Sequence, residues 1–218
     1  MTQASDIRDR SGRRRLAALL AGRRQLVYDY LSAISGAGGR LVFSLVYFIA
    51  LANTLSIADF GMFATASAAG VMLSRLLAFG FISALYRTAT KRRNLIGAYT
   101  AGFVLLGLLS LPLMVAAACG VYFLFFAASM APAVFAAVVF AEALLWRPVE
   151  VAMIVNNGLG KFGRAASLSI LTSVLRAAAA VLFMAAAEPS LAVWAWFYIG
   201  ANAVSLLVAF GLFYPRQR

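Results

Sequence analysis

The chain has 218 residues, of which 64% are hydrophobic and 12% are charged. Soluble domains average about 45–50% apolar and about 25% charged residues, so this composition excludes a water-soluble fold of this length. The sequence has no histidine and a single cysteine, Cys119, which excludes a disulfide framework and most His- or Cys-ligated metal sites. The formal charge of +12 lies mostly in the tails and beside apolar blocks, which indicates membrane orientation rather than nucleic-acid binding.

The apolar residues occur in long blocks that match membrane-spanning helices. Because one span needs about 20 such residues, the blocks predict an all-α integral membrane bundle of about six transmembrane helices. A basic cytoplasmic tail is predicted at residues 1–27, a six-span lobe at 28–213 and a cytoplasmic end at 214–218. The spans are predicted, in chain order, at residues 28–54, 60–86, 95–118, 132–155, 166–187 and 191–213.

The links between the predicted spans divide by charge. All but four of the 19 Lys and Arg residues lie in the two tails and in the links at 87–93 and 156–164, whereas the other three links carry none. Short loops rich in Lys and Arg stay in the cytoplasm, so the pattern predicts an even number of spans with both ends cytoplasmic. In the link before the second span, Ser56 or Asp59 is expected to cap the helix.

Six ionisable side chains lie well inside the predicted spans. Facing lipid at the bilayer centre, each would cost about 3 kcal/mol or more, so they are expected to face the bundle interior or a wet cavity. Arg147 and Glu150 are three residues apart and are predicted to form a local ion pair. Glu142 is expected to pair with an arginine of another helix. The six residues are Arg40, Arg75, Glu142, Arg147, Glu150 and Arg176.

Four arginines against two glutamates leave an excess of positive charge inside the spans, drawn from Arg40, Arg75 and Arg176. A guanidinium group can bind two phosphate oxygens at once, which makes it well suited to hold a phosphate-bearing ligand. One interpretation is therefore a cationic cavity for a phosphate-bearing or acidic substrate. The alternative is a set of purely structural bridges, or arginines that extend toward the membrane surface.

The chain resembles the N-terminal six-helix half of a Wzx-type polysaccharide flippase, of the MATE-like polysaccharide exporter superfamily. The features that carry the resemblance are the first span with Arg40, the stretch LSIADFGMFA at 55–64 and the stretch NGLGKFGRAA at 157–166. The resemblance covers residues 28–213. It implies one lobe of a MATE-like transporter in the bacterial inner membrane, which would serve cell-surface polysaccharide or exopolysaccharide biosynthesis.

The resemblance implies that the substrate is a polyprenyl-pyrophosphate-linked oligosaccharide, moved across the membrane by alternating access. Arg40, Arg75 and Arg176, together with Arg147, are then the expected contacts of the substrate in a cationic cavity. Glu142 and Glu150 are candidates for ion coupling or for buried pairing. These assignments follow from charge and position in the spans, because the family has no strict motif to carry over. Membrane lipids are expected partners, and neither a cofactor nor a metal is expected.

Flippases of this family usually have two six-helix lobes, and this sequence holds one. It is therefore expected to be a fragment, or to pair with itself as a homodimer or with a second six-helix lobe. A non-transporting membrane subunit or a truncated remnant of a polysaccharide assembly system is the alternative. An enzyme acting on polyprenyl carriers is disfavoured, because histidine-dependent lipid phosphatases need His and the links are too short for a catalytic loop. No enzymatic activity is expected.

Overall fold

The computed structural model describes residues 37–77, 81–186 and 188–214, which are helical apart from short links. The predicted basic tail at 1–27 and the start of the first predicted span lie outside the described residues. The helices are α1 (Ala37–Thr54), α2 (Ile57–Leu77), α3 (Phe81–Lys91), α4 (Ile96–Phe125), α5 (Pro132–Phe140), α6 (Arg147–Gly158), α7 (Phe162–Met184) and α8 (Leu191–Val208).

Three shorter helical segments extend these elements. A 3₁₀ turn at Arg93–Leu95 leads directly into α4. A π-helical segment at Ala141–Trp146 joins α5 to α6, and a second one at Ala209–Phe213 continues α8. As a result, residues 132–158 form one uninterrupted helical element.

Within the described part of the chain, five helices are long and apolar enough to cross a membrane: α1, α2, α4, α7 and α8 with its π-helical end. The protein is therefore a multi-pass helical bundle. α4 has the most apolar window, with a mean hydropathy of 2.3, and none of that window is buried inside the protein. Contact of these apolar side chains with water is unfavourable, so the helix is stable only where they contact lipid or another protein.

The predicted second span, 60–86, covers two helices of the described residues: α2 is described as far as Leu77 and α3 from Phe81 onward. α3 is apolar on one face only: Leu85 and Ala89 are fully buried, whereas Tyr86, Arg87 and Lys91 are exposed. A helix with one basic face is suited to the membrane surface rather than to its interior.

Local hydrogen bonds set the turns between the helices. The Ser56 side-chain oxygen accepts a bond from the backbone N–H of Asp59 at 3.1 Å, and its hydroxyl donates to the Asp59 carboxylate at 2.7 Å. The predicted cap of the second span is thus confirmed, with Ser56 in that role. Ser190 caps α8 in the same way, because its side chain accepts from Val193 N–H.

The far end of α8 is tied to the start of α4. Thr100 donates its hydroxyl hydrogen to the carbonyl of Ile96, so Tyr214 is the donor in its contact with Thr100. Burial raises the pKa of Tyr214 above its usual value of 10.0, which keeps this hydroxyl protonated at neutral pH. The two helices therefore meet at the end of the bundle that carries the basic links.

The core consists of separate apolar clusters rather than one continuous layer. The largest cluster surrounds Trp194, Phe63 and Phe183 and lies at the end of the bundle opposite the basic links. Two smaller clusters lie at the basic end. Along the 132–158 element, Val139 belongs to the first cluster and Val149 to one of the others. Glu142 and Arg147 lie between these positions, so the buried charges occupy a layer between the apolar clusters.

Candidate functional site

Glu142 is positioned by the π-helical segment Ala141–Trp146, against which α2 and α8 pack. Its side chain is buried, with 3% of the residue exposed. α2 approaches closely here because residue 70 is glycine: a Cβ on Gly70 would lie 3.1 Å from the Glu142 Cβ and 3.3 Å from the Val139 Cα. Short π-helical segments within α-helices are frequent at functional sites.

The Glu142 carboxylate accepts hydrogen bonds from two other helices. The Ser67 hydroxyl of α2 donates to Oε1 at 2.6 Å, and the Tyr198 hydroxyl of α8 donates to the same oxygen. The other oxygen, Oε2, lies 4.0 Å from Nη2 of Arg176 on α7, which is within ion-pairing range. A buried carboxylate is tolerated only when it is paired and hydrogen-bonded in this way.

Arg176 is held by further groups of α8 and of the π-helical segment. Its Nη2 donates to Asn202 Oδ1 at 2.8 Å, and Asn202 is fully buried. Its guanidinium carbon lies 4.0 Å from the centre of the Trp146 ring and 5.3 Å from that of Tyr198, distances typical of cation–π contacts. We call Glu142, Arg176, Ser67, Tyr198 and Asn202 the Glu142 cluster.

A second charged group surrounds Glu150 on α6. Nη1 of Arg147 contacts Glu150 Oε2, and Nη2 of Arg75 lies 3.8 Å from Oε1. The Arg147 side chain is only 10% exposed, whereas that of Arg75 is 65% exposed. We call these three residues the Glu150 cluster. Two guanidinium groups share one carboxylate, so the cluster carries a net positive charge.

The structure separates the predicted site residues into these two clusters. The local pair of Arg147 with Glu150 is confirmed, and so is the pairing of Glu142 with an arginine of another helix. Because Glu142 pairs with Arg176, the predicted excess of positive charge is left on Arg40 and on the Glu150 cluster. Arg40, the remaining predicted residue, is exposed on α1 and has no ion pair within the described residues. Substrate binding by these side chains stays a prediction.

A cavity of about 200 Å³ lies next to the Glu150 cluster, between the middle of α4, the end of α2 and the 132–158 element. We call it the α4 slot. Arg147 lines it, whereas the other predicted arginines do not. A single cavity lined by all four arginines is therefore not what the described residues form, because the pairing of Glu142 with Arg176 holds that arginine elsewhere.

Several residues of the Glu142 cluster were missed by sequence reasoning. Tyr198 and Asn202 are four residues apart in an otherwise apolar helix, so they share a face, and that spacing was a usable signal. Ser67 gave no signal, because serines inside spans commonly bond their own helix, as Ser173 does to the carbonyl of Ser169 at 3.0 Å. The Glu142 cluster pairs one carboxylate with one guanidinium, whereas the Glu150 cluster has one guanidinium in excess that can hold an anion. Among the described residues, no group of three or more His, Cys, Asp or Glu side chains could hold a metal ion.

The comparisons with known proteins add no relative. No family model matches the chain, and no curated protein or solved structure matches it. The geometry of the two clusters is therefore the basis for the functional argument.

Proposed function

We propose that this chain is one six-span lobe of a membrane transporter, a flippase that moves a polyprenyl-pyrophosphate-linked oligosaccharide across the bacterial cytoplasmic membrane. The product would serve cell-surface polysaccharide or exopolysaccharide synthesis. The observation that carries the proposal is the Glu150 cluster, where Arg75 and Arg147 share one carboxylate beside a cavity. We propose transport rather than catalysis as the role of these charges.

In this proposal the 132–158 element is the one further span beside the five long helices, and it is the fourth span in chain order. Its three helical pieces follow one another without a gap, and at 1.5 Å per residue they are about 40 Å long, more than the roughly 30 Å of hydrocarbon to be crossed. With six spans, both ends lie on one side of the membrane. The concentration of Lys and Arg in the tails and in two links supports the cytoplasmic side.

A phosphate-bearing substrate is favoured by the charge that the Glu150 cluster leaves uncompensated. Arginines inside a membrane pair with acids, with backbone carbonyls or with a ligand, because an unpaired charge there is costly. A pyrophosphate offers the oxygens that two guanidinium groups can hold together. The exposed fraction of Arg75 supports a role in contacting such a group from the open side.

The Glu142 cluster is the proposed coupling element. Protonation of Glu142 would remove the partner of Arg176 and free that guanidinium within the bundle. The same geometry favours a second candidate, a non-transporting membrane subunit, because a carboxylate bonded by Ser67, Tyr198 and Arg176 is typical of a structural bridge. The pathway in either case needs a second wall, which we propose comes from a second copy or from another six-helix lobe.

The experiment is a translocation assay in proteoliposomes that contain a fluorescent polyprenyl-pyrophosphate-linked sugar. The rate at which the inner-leaflet label becomes accessible to an impermeant quencher is measured for the wild type, Arg75→Gln and Arg176→Gln. Loss of a charge-assisted contact is expected to slow transport by about tenfold or more. Lys161→Gln, an exposed change outside both clusters, is the matched control.

Two results would contradict the proposal in different ways. A wild-type rate equal to that of protein-free vesicles would favour the non-transporting subunit. Transport at the wild-type rate in both Arg75→Gln and Arg176→Gln would instead reject the roles of these two charges while leaving transport in place.

A further inference from the structure

The α4 slot separates the middle of a membrane-exposed helix from the rest of the bundle. α4 is held at its ends: Ile96 is buried in an apolar cluster at the basic end, and Val121 and Tyr122 pack on the large cluster at the other end. Between these contacts α4 has exposed side chains that do not line the slot, such as Leu105 and Leu109. The slot is thus open on the side where the bilayer would lie.

The walls of the slot are apolar apart from the hydroxyls of Ser74 and Ser110, which bond to carbonyls of their own helices, and one charged exception. Phe103, Leu111 and Met114 of α4 face Ala143 and Pro148 across it. Ligand pockets for whole small molecules are usually about 300–1,000 Å³, so a slot of about 200 Å³ fits a segment of an apolar chain rather than a sugar.

The exception is Arg147, which lines the slot with a side chain that is nine-tenths buried. Its Nε is fully buried and has no hydrogen-bond partner within the described residues. Among the residues that the structure describes, its carboxylate partner is Glu150, which Arg75 shares. Arg147 is thus a buried donor in need of an acceptor, next to the apolar α4 slot. A lipid with an anionic head would supply the acceptor, and its apolar chain would fill the slot.

The depth of Arg147 indicates which lipid. Arg147 is the first residue of α6 and Gly158 the last, so it lies about 16 Å along the helix from the basic end. A phospholipid of the bilayer keeps its phosphate at the surface, at the edge of a hydrocarbon layer about 30 Å thick. A phosphate at Arg147 therefore belongs to a lipid whose head leaves the surface.

We infer that the α4 slot binds the polyprenyl chain of the transported lipid, while Arg147 and Arg75 hold its phosphate partway across the membrane. This inference rests on the proposed function and names the part of the substrate that the lobe recognises. The lipid enters sideways from the bilayer, past α4, so its chain never leaves the apolar environment. The sugar lies outside the slot.

The test measures lipid binding to the purified full-length protein by native mass spectrometry. The probes are polyprenyl phosphate, the uncharged polyprenol and phosphatidylglycerol. The wild type is expected to bind polyprenyl phosphate about tenfold more tightly than either of the others. Arg147→Gln removes the phosphate contact, and Gly107→Leu fills the slot, since a Cβ at Gly107 meets nothing within 4 Å. Each is expected to weaken binding of polyprenyl phosphate about tenfold.

The controls separate binding from folding. Gly120→Leu is the matched change on the same helix, where a Cβ also meets open space but does not line the slot. It should bind as the wild type does, and so should Lys161→Gln. If Arg147→Gln unfolds, the double variant Arg147→Gln with Glu150→Gln removes both charges of the pair and should still lose phosphate selectivity.

Equal binding of polyprenyl phosphate by the wild type and Gly107→Leu would overturn the inference. So would tighter binding of phosphatidylglycerol, which would make the slot a site for a bilayer lipid. Selective binding of polyprenyl phosphate in a protein that moves no substrate across vesicles would support the slot and contradict the proposed transport function. The two failures are therefore distinguishable.

Discussion

The residue that decides most about the bundle is Glu142, because every polar group of its cluster bonds to it directly or through one neighbour. The sequence was enough to identify Glu142, because it is a charged residue inside a long apolar stretch. The same observation predicted that it would need an arginine partner. Which arginine it would choose was not predictable. That choice depends on α7 and α8 packing beside the π-helical segment, and Asn202 and the Trp146 ring place Arg176 there.

We predict that Glu142→Gln lowers the free energy of unfolding by about 3 kcal/mol, because it leaves the partly buried Arg176 charge without its carboxylate. The amide still offers an oxygen to Ser67 and Tyr198, so the loss reports the charge rather than the hydrogen bonds. The measurement is equilibrium unfolding in mixed detergent micelles.

The double variant Glu142→Gln with Arg176→Gln tests that explanation. With both charges removed, more than half of the lost stability should return. Glu188→Gln, a change at an exposed position, should have little effect. A double variant as unstable as Glu142→Gln alone would show that the two side chains do not act as a pair.

At the level of the helices, glycines whose packing role was not predicted from the sequence determine how closely two helices can approach each other. α3 packs on α6 at Gly158, where a Cβ would lie 2.6 Å from the Ala89 Cβ and 3.3 Å from the Tyr86 carbonyl oxygen. The first distance is shorter than real Cβ atoms show, the second is tight, and neither neighbour is a flexible side-chain end. Only glycine therefore allows this packing.

We predict that Gly158→Ala lowers the free energy of unfolding by about 1–3 kcal/mol, because α3 must move away from α6. Thermal unfolding in detergent, followed by circular dichroism, measures the change. Gly163→Ala is the matched control in the same link region, since a Cβ there meets nothing within 4 Å. Equal stability of the two variants would contradict the close packing of α3.

Helix ends were predictable where a clear signal was present. The last predicted span, 191–213, agrees with the structure at both ends because Ser190 caps its start and Tyr214 leaves the helix. The predicted second span runs from α2 into α3, because hydropathy alone does not separate a spanning helix from an amphipathic helix that follows it. The face-by-face pattern of α3, with Leu85 and Ala89 four residues apart, was the missing signal.

Over the whole molecule, charge is arranged by end as well as by layer. The exposed basic residues of the described links, Arg87, Lys91, Arg92, Lys161 and Arg164, share the end where α3 and α6 meet. Two acids lie at the opposite end: Asp59 in the first turn of α2 and the exposed Glu188 in the link before α8. The Glu142 and Glu150 clusters lie between these two ends of the bundle.

We predict that Ser129 and Lys161 lie on opposite sides of the membrane, because they flank the 132–158 element that we propose as the further span. Both are exposed, and the native Cys119 is exposed as well, so the background for this test is Cys119→Ala. In intact cells whose outer barrier has been made permeable, a membrane-impermeant maleimide should label Ser129→Cys. Lys161→Cys should react only after lysis, on the side that the Lys and Arg distribution assigns to the cytoplasm. Labelling of both residues from one side would show that the 132–158 element does not cross, and the lobe would then have five spans with its two ends on opposite sides.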